Sequence, residues 1–431
     1  MNISTFRAFR SRNYRLYFGG QSVSLIGTWM QKTAVSWVVY ALTHSTLMLG
    51  VSLFASQFPS FLLTLIGGVV SDRYDRYKVL LTTQIASMVQ ASLLFLLIWF
   101  NHYNVWEILG LSVLLGIINA FDVPARQALV YEMVADKDDL PNALALNSSM
   151  VNLSRLIGPA IAGIVLEKLG DDICFLLNAL SFVAVIGSLL LMRLPKYVHQ
   201  QHTKNVFGEL KEGYNYIMHT PAIRFIIMML GLMSFFVLPF NTLVAYYAKD
   251  VFHGTASTFG VIDSFIGLGA FGGAMFLASQ KPGANLNKIL GINTLIFGAG
   301  LVLFSHEGHY GLALLFSAIA GFGMMSQVTV SNTIVQTTSE PHMRGRVISF
   351  YALAFFGMMP LGGLFVGWAS NLIGTKNTLL IEGIVALLIG ILHLSHVRTV
   401  KMKARQEQLL KAATVDAATG ASVERRAAVA R

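Results

Sequence analysis

The chain has 431 residues, of which 55% are hydrophobic and only 12% are charged. Soluble domains carry about 25% charged residues, so most of this chain is predicted to lie in lipid or in its own apolar interior. The net charge of +10 is concentrated in short loops and at the ends, which is typical of membrane-protein loops rather than of a nucleic-acid-binding surface. With a single cysteine, Cys174, no internal disulfide and no cysteine-based metal site are expected.

Apolar runs of spanning length recur along the chain, and a helix needs roughly 20 apolar residues to cross the hydrocarbon core. The first run follows several arginines and continues to Tyr40, far beyond the short apolar region of a signal peptide, which indicates an uncleaved span. Twelve spans are predicted, at about 14–41, 46–71, 78–101, 105–131, 141–169, 172–193, 221–248, 257–280, 286–305, 309–336, 345–373 and 376–398.

Basic residues are unevenly distributed between the two sets of loops. One set, which includes the turn at 72–78, holds most of the arginines and lysines, whereas the opposite set holds mainly Lys168, Lys249 and Lys376. Because cytoplasmic loops carry the positive excess, both termini of this multi-pass membrane protein are predicted to be cytoplasmic. The outer loops are very short, so no outer domain that would bind a partner protein is expected.

The longest loop, residues 194–220, divides the spans into two groups of six. The sequence therefore predicts an N-terminal bundle at 1–193 and a C-terminal bundle at 221–400. Within the cytoplasmic linker, apolar residues recur at helical spacing from Val206 to Met218, which predicts an amphipathic helix on the inner surface. The tail at 401–431 is rich in Ala, Lys and Arg and is predicted to be disordered.

A dense charged turn separates the second and third spans. Five charges lie in the seven residues from Asp72 to Lys78, too many to lie in hydrocarbon, so the turn is expected at a membrane surface. Its pattern, G-x-x-x-D-R-x-x-R, resembles the signature between helices 2 and 3 of the major facilitator superfamily. The residues of this conformational-switch motif are Gly68, Asp72, Arg73, Asp75 and Arg76.

The resemblance implies a role for the turn in switching between conformations. In the superfamily, the acid that matches Asp72 is held against the N-terminus of span 11, where the helix dipole favours negative charge. The basic residues that match Arg73 and Arg76 hold the inner loops together when the transporter faces outward. This sequence departs from the broad motif in having Asp75 at a glycine position and Tyr77 at a basic position, which leaves the geometry of the turn open.

The two halves of the chain repeat each other weakly. Gly163 and Gly367 are each followed seven residues later by another glycine, Gly170 and Gly374. A repeat of about half the chain, with six spans in each copy, is typical of transporters built from two related bundles. The predicted fold class is therefore all-α integral membrane, with twelve transmembrane helices in two pseudo-symmetric six-helix bundles, the major facilitator fold.

Ionisable residues inside spans are costly and therefore serve as candidates for function. Arg155, near the middle of span 5, shares a helical face with Ser148 and Asn152. Two interpretations of Arg155 stay open: a cation that binds cargo or a moving carboxylate, and one half of a buried structural ion pair.

Five other ionisable residues are candidates of the same kind. Asp122 and Arg126 are spaced to pair along span 4, and a structural pair at the inner gate is favoured over a proton site. Lys32 lies in the outer half of span 1, where it binds substrate or extends to the membrane surface. Asp263 and Glu382 lie about two turns inside the outer ends of spans 8 and 12, and solvated or paired outer-gate residues are favoured over proton carriers.

Span 5 contains a run of small residues, Gly158-Pro159-Ala160-Ile161-Ala162-Gly163. Small residues allow helices to approach closely, and proline perturbs the hydrogen-bond ladder of a helix. The run resembles the G-P-x-x-G-G element of major facilitator antiporters, although Ser154 and Ala145 stand where two upstream glycines are expected. In the family this element is associated with export.

Several further segments, including Leu25–Gln31 and Arg344–Val347, resemble the transmembrane secretion effector branch of the superfamily. The branch includes siderophore exporters and macrolide efflux proteins. The resemblance implies a monomeric secondary transporter that moves a small-molecule substrate across a lipid bilayer by alternating access.

Three functions remain as alternatives: a proton-linked exporter of siderophores or similar amphipathic metabolites, a multidrug or macrolide efflux pump, and a membrane receptor or assembly factor that transports nothing. The cationic Lys32 and Arg155 favour anionic or neutral cargo. The chain has no G-x-S-x-G, H-E-x-x-H or Walker motif, so neither enzymatic activity nor a bound cofactor or metal is expected. An ion gradient, of protons in the first interpretation, is expected to drive transport.

Overall fold

The structure is a computed structural model that describes residues 3–194, 206–281, 283–399 and 402. These residues form helices and short connections, and they contain no β-strand. A short 3-10 helix, Ile3–Arg10, precedes thirteen longer helices. They are α1 (Arg12–Thr43), α2 (Thr46–Arg73), α3 (Arg76–Trp99), α4 (Val105–Met133), α5 (Leu140–Lys168), α6 (Asp171–Leu190), α7 (Val206–His219), α8 (Pro221–Val251), α9 (Ala256–Ala278), α10 (Leu286–Ser305), α11 (Tyr310–Thr338), α12 (Arg344–Ile373) and α13 (Thr375–Thr399).

Eleven of these helices are long and apolar enough to cross a membrane. The short α7 is not one of them, and neither is α1, although α1 has 32 residues and packs along α5 and α6. Buried polar side chains such as Gln21, Gln31 and Thr33 lower the hydropathy of α1 without exposing it to lipid. With α1 the fold has the predicted twelve spans, and each observed span lies within a few residues of its predicted range.

Short polar caps begin several spans directly after tight loops. The Ser45 side chain accepts a hydrogen bond from the Met48 backbone N–H at 3.4 Å. The Asn104 side-chain oxygen accepts one from the Trp106 backbone N–H at 3.0 Å. Such caps satisfy backbone donors at helix N-termini that have no partner within the helix. They help to explain how loops of two residues, before α2, and of five residues, before α4, reverse the chain between helices of spanning length.

The spans form two packed groups. In the N-terminal half, α1 packs on α5 and α6, α2 packs on α4, and α3 packs on α4 and α6. In the C-terminal half, α11 packs on α9 and α10, and α12 packs on α8. The halves meet along two helix pairs, α2 with α12 and α5 with α9. The linker segment 195–205 and, except for residue 402, the tail 401–431 lie outside the described residues, so the predicted tail conformation and the exact domain limits stay predictions.

Glycines allow the two halves to approach closely. A Cβ atom added at Gly163 of α5 would lie 2.8 Å from the Ala256 carbonyl oxygen of α9, and one added at Gly367 of α12 would lie 2.7 Å from the Thr46 carbonyl oxygen of α2. Gly50 and Gly363 meet at the same α2–α12 contact. The two glycines singled out by the internal repeat, Gly163 and Gly367, therefore have the same role on opposite sides of the molecule.

The linker helix α7 contacts the C-terminal half. Arg346, at the start of α12, forms an ion pair with Glu212 of α7 at 2.6 Å. The Tyr216 hydroxyl oxygen accepts a hydrogen bond from the Glu340 backbone N–H at 3.2 Å. The predicted helix is present, and it lies beside the first turn of α12, the helix that corresponds to span 11.

Candidate transport pathway and central charge cluster

The two halves are joined at one end of the helix array. We call the end that carries the charged turn 72–78 the near face, and the opposite end the far face. At the far face, the Tyr40 hydroxyl of α1 donates a hydrogen bond to Asp250 of α8, and the Thr255 hydroxyl donates to Glu167 of α5 at 2.7 Å. Trp37 stacks on Phe259 with ring centroids 6.1 Å apart. We name these six residues the far gate.

The near face is open between the halves. An added Cβ at Gly68 of α2 or at Gly345 of α12 would meet no atom within 4 Å. Apart from the bond from Arg155 to the Met324 Sδ at the middle of the spans, the described inter-half hydrogen bonds lie at or towards the far face, among them the bond from Thr46 to Ser370 at 2.9 Å. The space between the halves is therefore accessible from the near face and closed at the far face.

We expect Tyr40→Phe to loosen the far gate. A hydrogen bond to a charged group contributes about 1.5–3 kcal/mol, so its loss should shift the equilibrium towards a far-open state by roughly tenfold or more. Distances between spin labels placed at the far face would report the shift. Tyr103→Phe is the matched control, since Tyr103 lies in the far-face loop between α3 and α4 and outside the gate. Unchanged distances in folded Tyr40→Phe would contradict the role of this contact.

Two cations flank one indole ring between the halves. The Lys32 Nζ lies 4.5 Å from the ring centroid of Trp29, and the Arg155 guanidinium carbon lies 5.7 Å from it. A cation over an indole face is attracted by the negative face of the ring. Asp263 of α9 faces these cations from the C-terminal half and accepts a hydrogen bond from Asn241 at 3.3 Å. We name Trp29, Lys32, Arg155, Asn241 and Asp263 the central cluster.

Small residues bring the helices of the central cluster together. A Cβ at Gly158 of α5 would lie 2.5 Å from the Cβ of Trp29, and a Cβ at Gly267 of α9 would lie 3.1 Å from the Arg155 carbonyl oxygen. Gly260 of α9 contacts the Pro159 carbonyl oxygen. The element with Gly158, Pro159 and Gly163 thus packs α5 against both α1 and α9, and Arg155 is placed one turn before it.

The cations of the central cluster are not locked in close ion pairs. Within the described part of the chain, no carboxylate oxygen lies within 4.0 Å of a side-chain nitrogen of Lys32 or Arg155. Lys32 is exposed although its neighbours Gln31 and Thr33 are buried, so its side chain faces the space between the halves. The arrangement leaves two positive charges and one negative charge around an aromatic surface in that space.

The pair of Asp122 and Arg126 belongs to the interior of the N-terminal half. Asp122 is 3% exposed and lies 3.0 Å from the Arg126 guanidinium. Its other carboxylate oxygen accepts hydrogen bonds from Thr83 at 2.9 Å and from Gln84 at 2.6 Å. These contacts join α3 to α4, so the predicted pair is present and lies within the N-terminal half.

Two acids lie about two turns inside the far ends of their spans, as predicted, but their surroundings differ from the predicted ones. Asp263 is part of the central cluster and not of the outer gate, because it faces α1 and α5 on the interior side of α9. Glu382 is 3% exposed, and neither of its oxygens has a hydrogen-bond partner among the described residues, so it is neither solvated nor paired. Asn152 donates to the Ser148 carbonyl oxygen of its own helix at 2.9 Å, and within the described part of the chain it forms no hydrogen bond with Arg155.

The charged turn has a definite hydrogen-bonded structure. Asp75 caps α3 by accepting a hydrogen bond from the Tyr77 backbone N–H at 3.0 Å, which explains why an acid is compatible with this position. Arg76 lies 2.7 Å from Glu132 at the end of α4 and 3.8 Å from Asp72. The turn is thereby attached to the N-terminal half.

Sequence reasoning missed several functional candidates. Trp29 is one helical turn from Lys32, and this spacing was an available signal. Asp250 and Glu167 lie at helix ends, where charges are expected for solvation alone. Their roles in the far gate depend on contacts between residues far apart in the chain, such as the 210 positions between Tyr40 and Asp250. Across the described residues, no three metal-ligating side chains cluster.

The membrane-spanning helices form two groups, which meet at the far face and separate at the near face, and charges lie between them. This arrangement defines a membrane transporter of the alternating-access type. The model of the transmembrane secretion effector family matches residues 3–424, so the chain belongs to that family. The assignment agrees with the resemblance to the major facilitator superfamily found in the charged turn and in α5.

Relatives that match this chain over most of their own length are named for different compounds. The chain is 25% identical to a staphyloferrin A transporter of Staphylococcus aureus over 90% of its own length and 97% of the relative's. It is 23% identical to macrolide efflux protein A of Streptococcus pyogenes, over 88% of this chain and 95% of the relative. It is 24% identical to an enterobactin exporter of Salmonella choleraesuis, over 88% of this chain and 91% of the relative.

Solved transporter structures share the fold at low sequence identity. A POT family transporter, in complex with a thioalcohol-conjugated peptide, superposes with a TM-score of 0.72 at 14% identity, covering 90% of this chain and 96% of that one. At this identity the similarity shows the fold alone.

Proposed function

We propose that the protein exports anionic, amphipathic small molecules of the siderophore class by alternating access. The observation that carries the proposal is the central cluster, in which Lys32 and Arg155 flank Trp29 in a space that opens to the near face. Two cations without a close carboxylate partner favour an anion, and the indole face favours an aromatic or apolar part of the same molecule.

The names of two relatives support this cargo class, since staphyloferrin A and enterobactin are siderophores. The cluster faces both halves, because Lys32 and Arg155 belong to the N-terminal half and Asp263 to the C-terminal half. Cargo that binds there would therefore contact both halves and bias their relative position, which is what coupling of cargo to alternating access requires.

Asp263 is our candidate for proton coupling. An anionic cargo and the Asp263 carboxylate would compete for the same two cations. When cargo replaces Asp263, the acid is left in a partly buried site without a counter-charge, and proton uptake would remove the cost of its charge. Cargo binding and proton binding would then be linked through one cluster.

Macrolide efflux is the second candidate. Macrolide efflux protein A matches over nearly the same share of the chain, and Asp263 with Trp29 offers an acid and an aromatic face to a cationic drug. Against it, a cationic drug would approach two positive side chains of the same cluster. We consider a receptor or assembly factor without transport the weakest alternative, because the space between the halves has the features of a transport site.

The deciding experiment is transport by purified protein in proteoliposomes. A panel of labelled anionic siderophores, neutral compounds and cationic macrolides is offered with and without a proton gradient. We expect gradient-dependent transport of the anionic compounds only. Transport of the macrolides alone would reject the anionic class, and transport that is unaffected by an ionophore for protons would reject proton coupling.

We further propose that the near face is cytoplasmic and that the protein acts as a monomer in a bacterial inner membrane. The excess of basic loop residues at the near face supports this orientation. Reporter fusions after residues 75 and 102 would test it. An external location for the turn at 72–78 would overturn the orientation and, with it, the direction of export.

We expect Asp72→Asn to impair transport while leaving the amount of folded protein unchanged. The variant keeps the present near-open state, in which Gly345 at the start of α12 has open space around it. It loses the contact between a negative charge and the α12 N-terminus that we propose for the near-closed state, worth about 1 kcal/mol or a roughly fivefold shift. Spin-label distances across the near face measure the shift. Unaltered transport by well-expressed protein would refute the switch role.

A further inference from the structure

Glu382 occupies an unusual position in the C-terminal half. It lies on the face of α13 that carries the buried Leu379 and Ala386, and it is itself 3% exposed. Both carboxylate oxygens lack a hydrogen-bond partner among the described residues. Asp122, which is equally buried, has Arg126 and two hydrogen-bond donors around it. A buried acid that lacks any such partner is not explained by the structural role that Asp122 has.

The surroundings of Glu382 favour a carboxyl group that carries a proton. An ionised carboxylate without a partner in a low-dielectric interior costs several kcal/mol, so such groups bind a proton or acquire water. Within the described chain, no basic side-chain nitrogen lies within 4.0 Å of a Glu382 carboxylate oxygen, and Tyr247 of α8 is close enough for the charge of Glu382 to act on it. The Tyr247 hydroxyl already donates to the Ser305 carbonyl oxygen at 2.6 Å and does not neutralise the acid.

Tyr247 connects Glu382 to the far gate. It is the first residue of a π-helical segment, Tyr247–Val251, within α8. The same segment contains Asp250, which accepts the inter-half hydrogen bond from Tyr40. Single π-helical turns in α-helices are frequent at functional sites and mark positions where helix register changes. A change in the charge of Glu382 would therefore be felt by Tyr247, in the segment that also carries the far-gate residue Asp250.

Buried polar atoms lead from this region towards the near face. On α10, Gly298 contacts Gly383 and Gly291 contacts His393, so Asn293 lies between the levels of Glu382 and His393. The Asn293 side-chain nitrogen and the His393 Nδ1 are buried without partners in the described chain. Groups of this kind commonly bind internal water, which would give a proton a route between Glu382 and the near face.

We propose that Glu382 is a proton-binding site separate from the central cluster and that the far gate stays closed while Glu382 holds its proton. When the proton leaves to water, the carboxylate must gain hydration, which displaces Tyr247 and the π-helical segment and breaks the contact between Asp250 and Tyr40. The proposal rests on alternating access in the proposed function, but it does not depend on which cargo is transported.

Spin-label distances across the far face test the proposal on the full chain in lipid nanodiscs. Labels at Lys168 and Asn377, in a Cys174→Ser background, report the gate at a series of pH values. For one coupled proton, the ratio of far-open to far-closed populations should rise with pH by at most about tenfold per pH unit. Glu382→Gln mimics the protonated acid, so it should keep the gate closed at every pH. Glu107→Gln, at an exposed acid of the far face, should retain the wild-type response.

Infrared difference spectra between high and low pH give a second measurement. A protonated-carboxyl band should be present in the wild type, persist in Asp263→Asn and be lost in Glu382→Gln. Asp250→Asn should keep the band but weaken the response of the gate. A wild-type pH response in folded Glu382→Gln would overturn the proposal. If Glu382→Gln does not fold, two results on other samples would each overturn the proposal. One is a wild-type gate whose spin-label distances do not change with pH. The other is a protonated-carboxyl band that is lost in Asp263→Asn.

The same samples separate this proposal from the proposed function. Binding of an anionic siderophore, followed by Trp29 fluorescence, should be retained in Glu382→Gln because the central cluster is intact. A wild-type protein whose gate responds to pH but which binds no anionic cargo would reject the proposed cargo and leave the proton site standing.

Discussion

Arg155→Ala is expected to abolish export while leaving folded protein in the membrane. The guanidinium has no carboxylate oxygen within 4.0 Å among the described residues; its contacts are the Trp29 ring and the Met324 Sδ at 4.0 Å. Truncation therefore leaves no tightly paired acid stranded, and Asp263 keeps its bond from Asn241. Loss of a desolvated charge contact with cargo costs about 2 kcal/mol or more, roughly a 30-fold loss of affinity.

Thermal stability, cargo binding and transport should be measured on the same purified sample. Arg155→Lys should recover part of the binding, since lysine keeps the charge but cannot reproduce the planar fork of arginine. Arg224→Ala, at an exposed arginine near the start of α8, is the matched control and should behave as the wild type. A destabilised Arg155→Ala protein with normal transport per folded molecule would instead assign Arg155 a structural role.

The span architecture could be predicted because it depends on local properties of the chain. Apolar runs of bilayer length, turns with several charges and an excess of basic loop residues each follow from the cost of placing charge in lipid. The same rule selected Lys32, Arg155 and Asp263, and the structure brings these three residues together. Only α1 departs from the simple criterion of apolarity, because its polar residues are buried against other helices.

The far gate could not be predicted, because it depends on how two halves dock. Tyr40 and Asp250 are 210 residues apart, and neither is unusual in its local sequence. The exposure of an acid near a helix end was also misjudged for Glu382. An acid two turns from the end of a span is usually expected to be solvated. The neighbouring helices α8 and α10, however, cover the face of α13 that carries Glu382. Burial of this kind is a property of packing and not of position along one helix.

The largest loss of stability is expected from Asp122→Asn. The substitution leaves Arg126 without its counter-charge in the interior of the N-terminal half, where breaking a buried pair costs about 3–5 kcal/mol. Thr83 and Gln84 can still donate to the new amide oxygen, so the missing charge is the main change. We expect a steep fall in thermal stability and in the yield of folded protein, measured by the temperature dependence of monodispersity in detergent.

Removal of the partner charge should reverse much of this loss. In the double variant Asp122→Asn with Arg126→Met, no unpaired ion remains, so stability should return towards the wild-type value. The pair of Asp72 and Arg76 has the same spacing along the chain, but its acid is exposed, so Asp72→Asn should change stability by no more than about 1 kcal/mol. If Asp122→Asn keeps full thermal stability and loses only the proton dependence of transport, Asp122 carries a proton, and the static network between α3 and α4 is the wrong explanation for its burial.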